Sequence, residues 1–223
     1  MPLPRVLEPE EMAGAEEAAE YDSMDFSATD EAFARRAAEL AKPQMWTVDI
    51  GCGNAKIPLA IASLAPASPV CAVEMSSEML AVAVRNRAKG DAAARKTVFV
   101  RGDAKRLPFS SGSIGLVISN SLIHHIPDPG CVFAEVARIV TGAGNKPGIL
   151  IRDLIRPESE AQLREIAGKY SSGWSPIQTR LFTDSLRAAL SLDEVRAYAA
   201  EAGLRGVRVG QITDRHWSLE TDA

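Results

Sequence analysis

The stretch Val48-Asp49-Ile50-Gly51-Cys52-Gly53-Asn54-Ala55-Lys56-Ile57-Pro58-Leu59-Ala60 constrains the fold more than any other part of the chain. An apolar strand ends in an acid, a glycine-bearing turn follows, and an apolar-periodic helix begins. Gly51 and Gly53 lack Cβ, so a ligand can approach the main chain and unusual φ values cost little. Asp49 falls at the carboxyl end of the strand, where ligands of open α/β sheets bind. Pro58 falls in the first turn of the helix, where its missing N–H is harmless.

The pattern on either side repeats this unit. Strands are predicted at 46–50, 69–74, 97–101, 114–119 and 148–152, with helices at 55–64, 76–89 and 129–140 between them. The run Ile114 to Ser119 is apolar without alternation, as in strands buried on both faces. Strand–helix alternation at regular intervals predicts a parallel sheet with helices on both faces. A helix over 30–41, capped by Ser27 or Thr29, precedes the first strand. After Pro157 the alternation stops. Helices are expected at 158–171 and 179–190, with the polar segment 171–176 between them. Ser191-Leu192-Asp193-Glu194 reads as a capping box opening a helix that ends at Gly203. Segments 204–213 and 216–221 then read as an antiparallel hairpin. The expected fold is a doubly wound, mostly parallel seven-stranded α/β sheet with that C-terminal hairpin. A helical segment at 1–42 would act as a lid on a main domain at 43–223, and 157–190 would form a helical cover.

Composition narrows the function classes. With 25 Lys and Arg against 29 Asp and Glu, the net charge of −4 lacks the global footprint of a nucleic-acid binder. Cys52, Cys71 and Cys131 are widely spaced and form neither a disulfide framework nor a CxxC metal site. They read as buried free thiols in a reducing compartment, and no metal-ligand set is read from the chain. No basic-then-apolar leader opens it, and no apolar run approaches the ~20 residues needed to cross a bilayer. A soluble, cytoplasmic protein is expected.

Four features end successive strands and would line one crevice: Asp49 to Gly53, Glu74, Gly102-Asp103-Ala104, and Ser119-Asn120-Ser121. An acid at Glu74 suits vicinal ribose hydroxyls. The turn is not Gly-x-Gly-x-x-Gly, and an acid directly before it would repel a pyrophosphate. A ligand with a positive amine suits Asp49 better. Asp103 can accept from an adenine amino group while the Ala104 N–H meets a ring nitrogen. Adenosine joined to a charged amino acid, without phosphate, describes S-adenosylmethionine.

On these residues the chain resembles the class I S-adenosylmethionine-dependent methyltransferases with a Rossmann-like fold, of the small-molecule type that includes the menaquinone and ubiquinone enzymes. The resemblance covers about residues 45–155. It implies that Asp49, Gly51 and Gly53 form the loop on the methionine side of the cofactor; Cys52 is read as a small filler beside the cofactor and Tyr21, closing from the other side, as a further cofactor contact. It also implies that Glu74 binds the ribose, Met75 packs on adenine, Asp103 and Ala104 read adenine, and Asn120 flanks the methyl donor. His124-His125-Ile126-Pro127-Asp128-Pro129 resembles the family's segment after the fourth strand. Ala55 stands where many members have a third glycine. Segment 142–148 is longer than the usual turn before the fifth strand.

Methyl transfer from a sulfonium is an in-line displacement in which alignment supplies much of the rate. A base is needed only where the acceptor carries a proton. His124 and His125 are the candidate bases, and Asp153, with Arg152 and Arg156, is a candidate for orienting the acceptor. Capping or packing is the competing reading for each histidine, and a structural ion pair is the competing reading for the acid and its cations. The cover residues Tyr170, Trp174, Gln178, Arg180, Phe182 and Arg187, with Tyr21, Met24 and Phe26, are candidates for selecting a small organic acceptor, aromatic or quinone-like by resemblance. The absence of an Asn/Asp-Pro-Pro-Tyr segment argues against methylation of adenine, cytosine or glutamine amino groups. An RNA-modifying methyltransferase, a non-catalytic cofactor-binding subunit and a nicotinamide oxidoreductase remain as alternatives.

Overall fold

The computed structural model describes residues 3–9, 14, 18, 22–24, 26–141 and 148–221. Strands β1 (Thr47–Ile50), β2 (Val70–Glu74), β3 (Val98–Arg101), β4 (Leu116–Asn120) and β5 (Gly148–Leu154) run parallel. Strand β7 (His216–Thr221) pairs antiparallel with both β5 and β6 (Val207–Gln211). The order β3-β2-β1-β4-β5-β7-β6 makes one seven-stranded sheet. Its direction of travel reverses between β1 and β4. That reversal opens the crevice at the carboxyl ends of these strands.

Alternation along the strands divides the core in two. Leu116, Ile118 and Leu150 pack with Phe33, Ala37 and Leu40 of α1 (Ser27–Leu40) and Ile61 of α2 (Lys56–Leu64). Val48, Ile50, Val117, Ile149 and Ile151 face the other way. They pack with Phe133, Val136 and Ile139 of α4 (Pro129–Val140), Val195 of α7 (Leu192–Glu201) and Trp217. Helix α3 (Ser77–Lys89) begins at the cap residue Ser76, whose Oγ accepts from the Met79 N–H. Helices α5 (Glu160–Tyr170) and α6 (Pro176–Ala188) form a smaller cluster through Leu163, Ile166, Leu186 and Ala189. No helix among the described residues is long and apolar enough to cross a membrane.

Most departures from the sequence reading are at element ends. Helix α1 is capped by neither Ser27 nor Thr29: Phe26 is its N-cap and Thr29 Oγ1 donates to the Phe26 carbonyl. Helix α6 starts at Pro176 because Ser175 and Gln178 close a capping box there. Strand β5 continues to Leu154, where β7 supplies a pairing partner as far as His216. The capping box at Ser191 and Glu194 forms as expected. Cys131 corrects the reading of three buried thiols, since it is exposed while Cys52 and Cys71 are buried. The calls at Tyr21 and the loop 142–147 lie outside the described residues.

Leu150 sits fully buried at the centre of the sheet between β4 and β7. Leu150→Ala is expected to cost about 2–5 kcal/mol, through lost burial and a residual cavity. A lowered urea midpoint at unchanged m-value would report it.

Candidate functional site

The turn after β1 holds three left-handed residues, Gly51 (φ +71°), Gly53 (φ +53°) and Ala55 (φ +62°). The positive φ favours glycine at Gly51, and a Cβ there would come within 2.7 Å of the Leu122 side chain, which would have to shift. Ala55 is the fully buried N-cap of α2. A left-handed alanine carries a cost of roughly 1–2 kcal/mol that a glycine would avoid.

Hydrogen bonds tie this turn to β2. The Gly51 and Cys52 N–H groups both donate to the Val73 carbonyl. Glu74 Oε2 accepts from the Gly53 N–H, and its Oε1 accepts from the N–H groups of Met75 and Ser76, all at 2.9 Å. One carboxylate therefore joins the glycine turn to the start of α3. A carboxylate offers about four lone-pair directions, so one remains for another donor. From the other side, Asn54 Nδ2 donates to Asp22 Oδ1 at 2.8 Å, and Lys56 Nζ donates to the Asp22 carbonyl at 2.9 Å. These bonds fasten the segment before α1 against the same turn.

Asp49 is buried beneath the turn. Burial, then the nearby charges of Glu74 and Asp30, all push its carboxyl well above the usual carboxylate range. Nothing identified among the described residues offsets them. The mouth of the sheet is thus an acidic, partly desolvated site that suits a cation and disfavours a phosphate.

A cavity of about 300 Å³ opens above these strand ends. Asp49, Gly51, Cys52, Gly53, Glu74, Met75, Asp103, Ala104 and Asn120 all line it, as do His124 and His125. Asp103 Oδ1 accepts from its own loop at the Lys105 N–H and lies 3.0 Å from Lys105 Nζ. Met24, Phe26, Trp174 and Phe182 give the far wall an aromatic and thioether character, and Gln178 joins them. Phe26 and Phe182 both meet the Trp174 ring edge to face. Tyr170, Arg180 and Arg187 of the expected cover set do not line the cavity. Tyr170 donates to Asp214, and Arg187 pairs with Glu160.

Asp153 stands behind the wall instead of in it. Its carboxylate is buried, pairs with His124 Nδ1 at 2.5 Å and accepts from the N–H groups of Ile123, His124 and Leu154. Burial opposes its charge, but His124 and the backbone donors outweigh this and hold its pKa below the usual range. Burial likewise pulls His124 down, while Asp153 and then Glu8 raise it further, so the net shift is upward. His125, buried and beside His124, is lowered to about 3 and is neutral at pH 7. Of the two cations near Asp153, Arg152 reaches the cavity, whereas Arg156 is committed to Glu194 and the Ala189 carbonyl.

Four charged or titratable lining residues had no sequence signal: Glu8, Asp30, Arg215 and His216. Glu8 arrives on a segment secured by Arg5, which donates to the carbonyls of His124, Ile126 and Ala188. Arg215 lies over the Tyr170 ring at 3.8 Å and comes from the β6–β7 turn.

The fold and its mouth define an α/β domain with an acidic crevice at its strand ends and no phosphate cradle among the described residues. A methyltransferase-domain family model matches residues 48–145. The uncharacterized protein YafE of Escherichia coli is 31% identical over 65% of this chain and 76% of its own length. The 27-O-demethylrifamycin SV methyltransferase of Amycolatopsis mediterranei is 29% identical over 77% of this chain and 59% of its own. A SAM-dependent methyltransferase from Aquifex aeolicus shares the fold with a TM-score of 0.65 at 14% identity, covering 93% of this chain and 97% of that one. The chain belongs to the class I S-adenosylmethionine-dependent methyltransferases, and S-adenosylmethionine is the cofactor of the family. It spans 59% or less of the length of the first curated relatives it matches.

The raised carboxyl of Asp49 has a thermodynamic consequence. Its ionisation costs stability as pH rises from the unfolded-state value towards the folded one, because the unfolded form releases its proton first. Asp49→Asn removes that cost. The ligand-free variant is expected to melt a few degrees above the wild type at pH 7 in a calorimetric scan, with the difference shrinking below pH 4.

Proposed function

We propose that the protein transfers the methyl group of S-adenosylmethionine to a small organic acceptor. The observation that carries this reading is the buried Asp49 carboxylate, raised by burial, Glu74 and Asp30, at the carboxyl end of β1. The cationic methionine end of the cofactor supplies the charge this position lacks. In this reading Asp49 takes the amino group, with Gly51, Cys52 and Gly53 presenting main chain beside the methionine part. Glu74 directs its remaining lone pair at a ribose hydroxyl. Met75 covers adenine, Asp103 and the Ala104 N–H read its edge, and Asn120 stands by the methyl group. Tyr21 belongs to the same set.

The acceptor lies towards His124, with 1–42 and 157–190 covering it. A wall of Met24, Phe26, Trp174 and Phe182 beside Gln178, Arg152 and Arg215 supports an acceptor that is flat and apolar with a polar or anionic edge. His124 presents Nε2 as the acceptor of a proton, and Asp153 is a positioning residue that holds the ring through Nδ1. His125, held neutral, is a polar wall residue in the cation-free protein. The free buried thiols Cys52 and Cys71 fit work in a reducing, cytoplasmic compartment.

Calorimetry is expected to show one site for S-adenosylmethionine and none for NAD. Asp49→Asn should weaken the former at least tenfold, which is about 1.4 kcal/mol. NAD binding instead would overturn the reading. Once an acceptor is in hand, Asp153→Asn and His124→Ala should each lower kcat by roughly 100-fold, with cofactor affinity changed less than twofold. A loss confined to cofactor affinity would move both residues to the cofactor site.

A further inference from the structure

His124 Nε2, His125 Nδ1 and Glu8 Oε1 converge on one point of the cavity wall. Glu8 Oε1 lies 3.4 Å from His124 Nε2 and 3.2 Å from His125 Nδ1, and all three atoms fall within 4.8 Å of one another. The three side chains are only 4%, 21% and 9% exposed for His124, His125 and Glu8 respectively. Proton bookkeeping shows what this arrangement lacks. A neutral His124 donates its Nδ1 proton to Asp153, so its Nε2 carries a lone pair. His125 Nδ1 and Glu8 Oε1 are both buried without a hydrogen-bond partner. With His124 in that neutral form, three lone pairs converge in a desolvated wall, a geometry that one shared cation satisfies.

We propose that Glu8, His124 and His125 bind a divalent first-row metal ion such as Zn²⁺. Metal–nitrogen and metal–oxygen bonds of 2.0–2.1 Å separate adjacent tetrahedral ligands by about 3.3 Å, which matches the two measured edges. The remaining two requirements of a built site are also present. Asp153 holds the far nitrogen of His124, the carboxylate–histidine pairing that fixes a ligand's tautomer. The Ser185 hydroxyl donates to Glu8 Oε2 at 3.1 Å and leaves Oε1 free to point at the ion. Two neutral imidazoles and two carboxylates, counting Asp153, balance a charge of +2. All three ligands line the cavity, so the fourth position of the ion opens onto it.

The catalytic consequence rests on the methyltransferase reading, whereas metal binding does not. An acceptor hydroxyl that coordinates the ion becomes more acidic and loses its proton to water, which leaves an oxygen nucleophile facing the methyl donor. The Nε2 lone pair of His124, which takes that proton in the metal-free protein, is then held by the ion. The acceptor class narrows accordingly to oxygen acids such as phenols, enols or carboxylates.

The full-length protein, stripped with a chelator and re-purified, is titrated with Zn²⁺ by calorimetry and with Co²⁺ by visible absorption. One ion per chain and the d–d bands of a four- or five-coordinate cobalt site are expected. Glu8→Gln and His125→Ala should each weaken binding at least tenfold, and Asp153→Asn by 10–100-fold. Binding that these variants leave unchanged, or no binding at a single site, overturns the proposal. Should a variant fail to fold, imidazole nitrogen shifts of the wild-type protein decide: Zn²⁺ must move two histidines and spare the third, His216. Calorimetry with S-adenosylmethionine on the same stripped sample keeps failure of the metal site distinct from failure of the cofactor reading.

Discussion

The mouth of the sheet buries a carboxyl group beside other acids, and much of the structure follows from that. Asp49 is buried at the end of β1, the register places it beside Ala72 of β2, and Glu74 stands two residues further on. A fold selected for stability alone would place an amide or an aliphatic residue at position 49. A cationic ligand would remove the penalty. The glycine turn spends the N–H groups of Gly51, Cys52 and Gly53 on Val73 and Glu74, and so does not aim them at an anion.

The same device recurs on the other side of the cavity. Glu74 and Asp153 are both carboxylates that accept three backbone N–H groups and are held rigid by them. Each turns a loop into a fixed surface. Glu74 joins the glycine turn to α3, while Asp153 fixes the short helical turn Ile123–His125 and, through it, the His124 ring. Ser121, left-handed at φ +60°, redirects the chain between β4 and that turn. Both walls of the cavity are therefore built on strand ends that the parallel register already aligns. The aromatic wall from Phe26, Trp174 and Phe182 closes the space between them from outside the sheet.

The sheet was legible because its strands are apolar runs at regular spacing, and the capping box at Ser191 was legible because its spacing is local. The positions proposed for the cofactor, Tyr21 apart, share this basis, since each lies at or just after a strand end that periodicity locates. Cys131 was misread although helical spacing separates it from Val132, Phe133 and Val136, which face the core. Ser175 and Gln178 carried a cap signal that the polar segment around them obscured. Asp153 illustrates a true limit: β5 is buried on both faces, so alternation cannot say which way an acid points. Glu8, Asp30, Arg215 and His216 reach the cavity through tertiary contacts between distant segments, which no local pattern encodes.

A crystal structure with S-adenosylhomocysteine tests the central claim most directly. The account expects the ligand amino group within hydrogen-bonding distance of Asp49, about 2.7–3.2 Å, and a ribose hydroxyl on Glu74. It expects the sulfur to face His124 across the cavity. A ligand whose amino group points away from Asp49, or which binds outside the ends of β1 and β2, would contradict it.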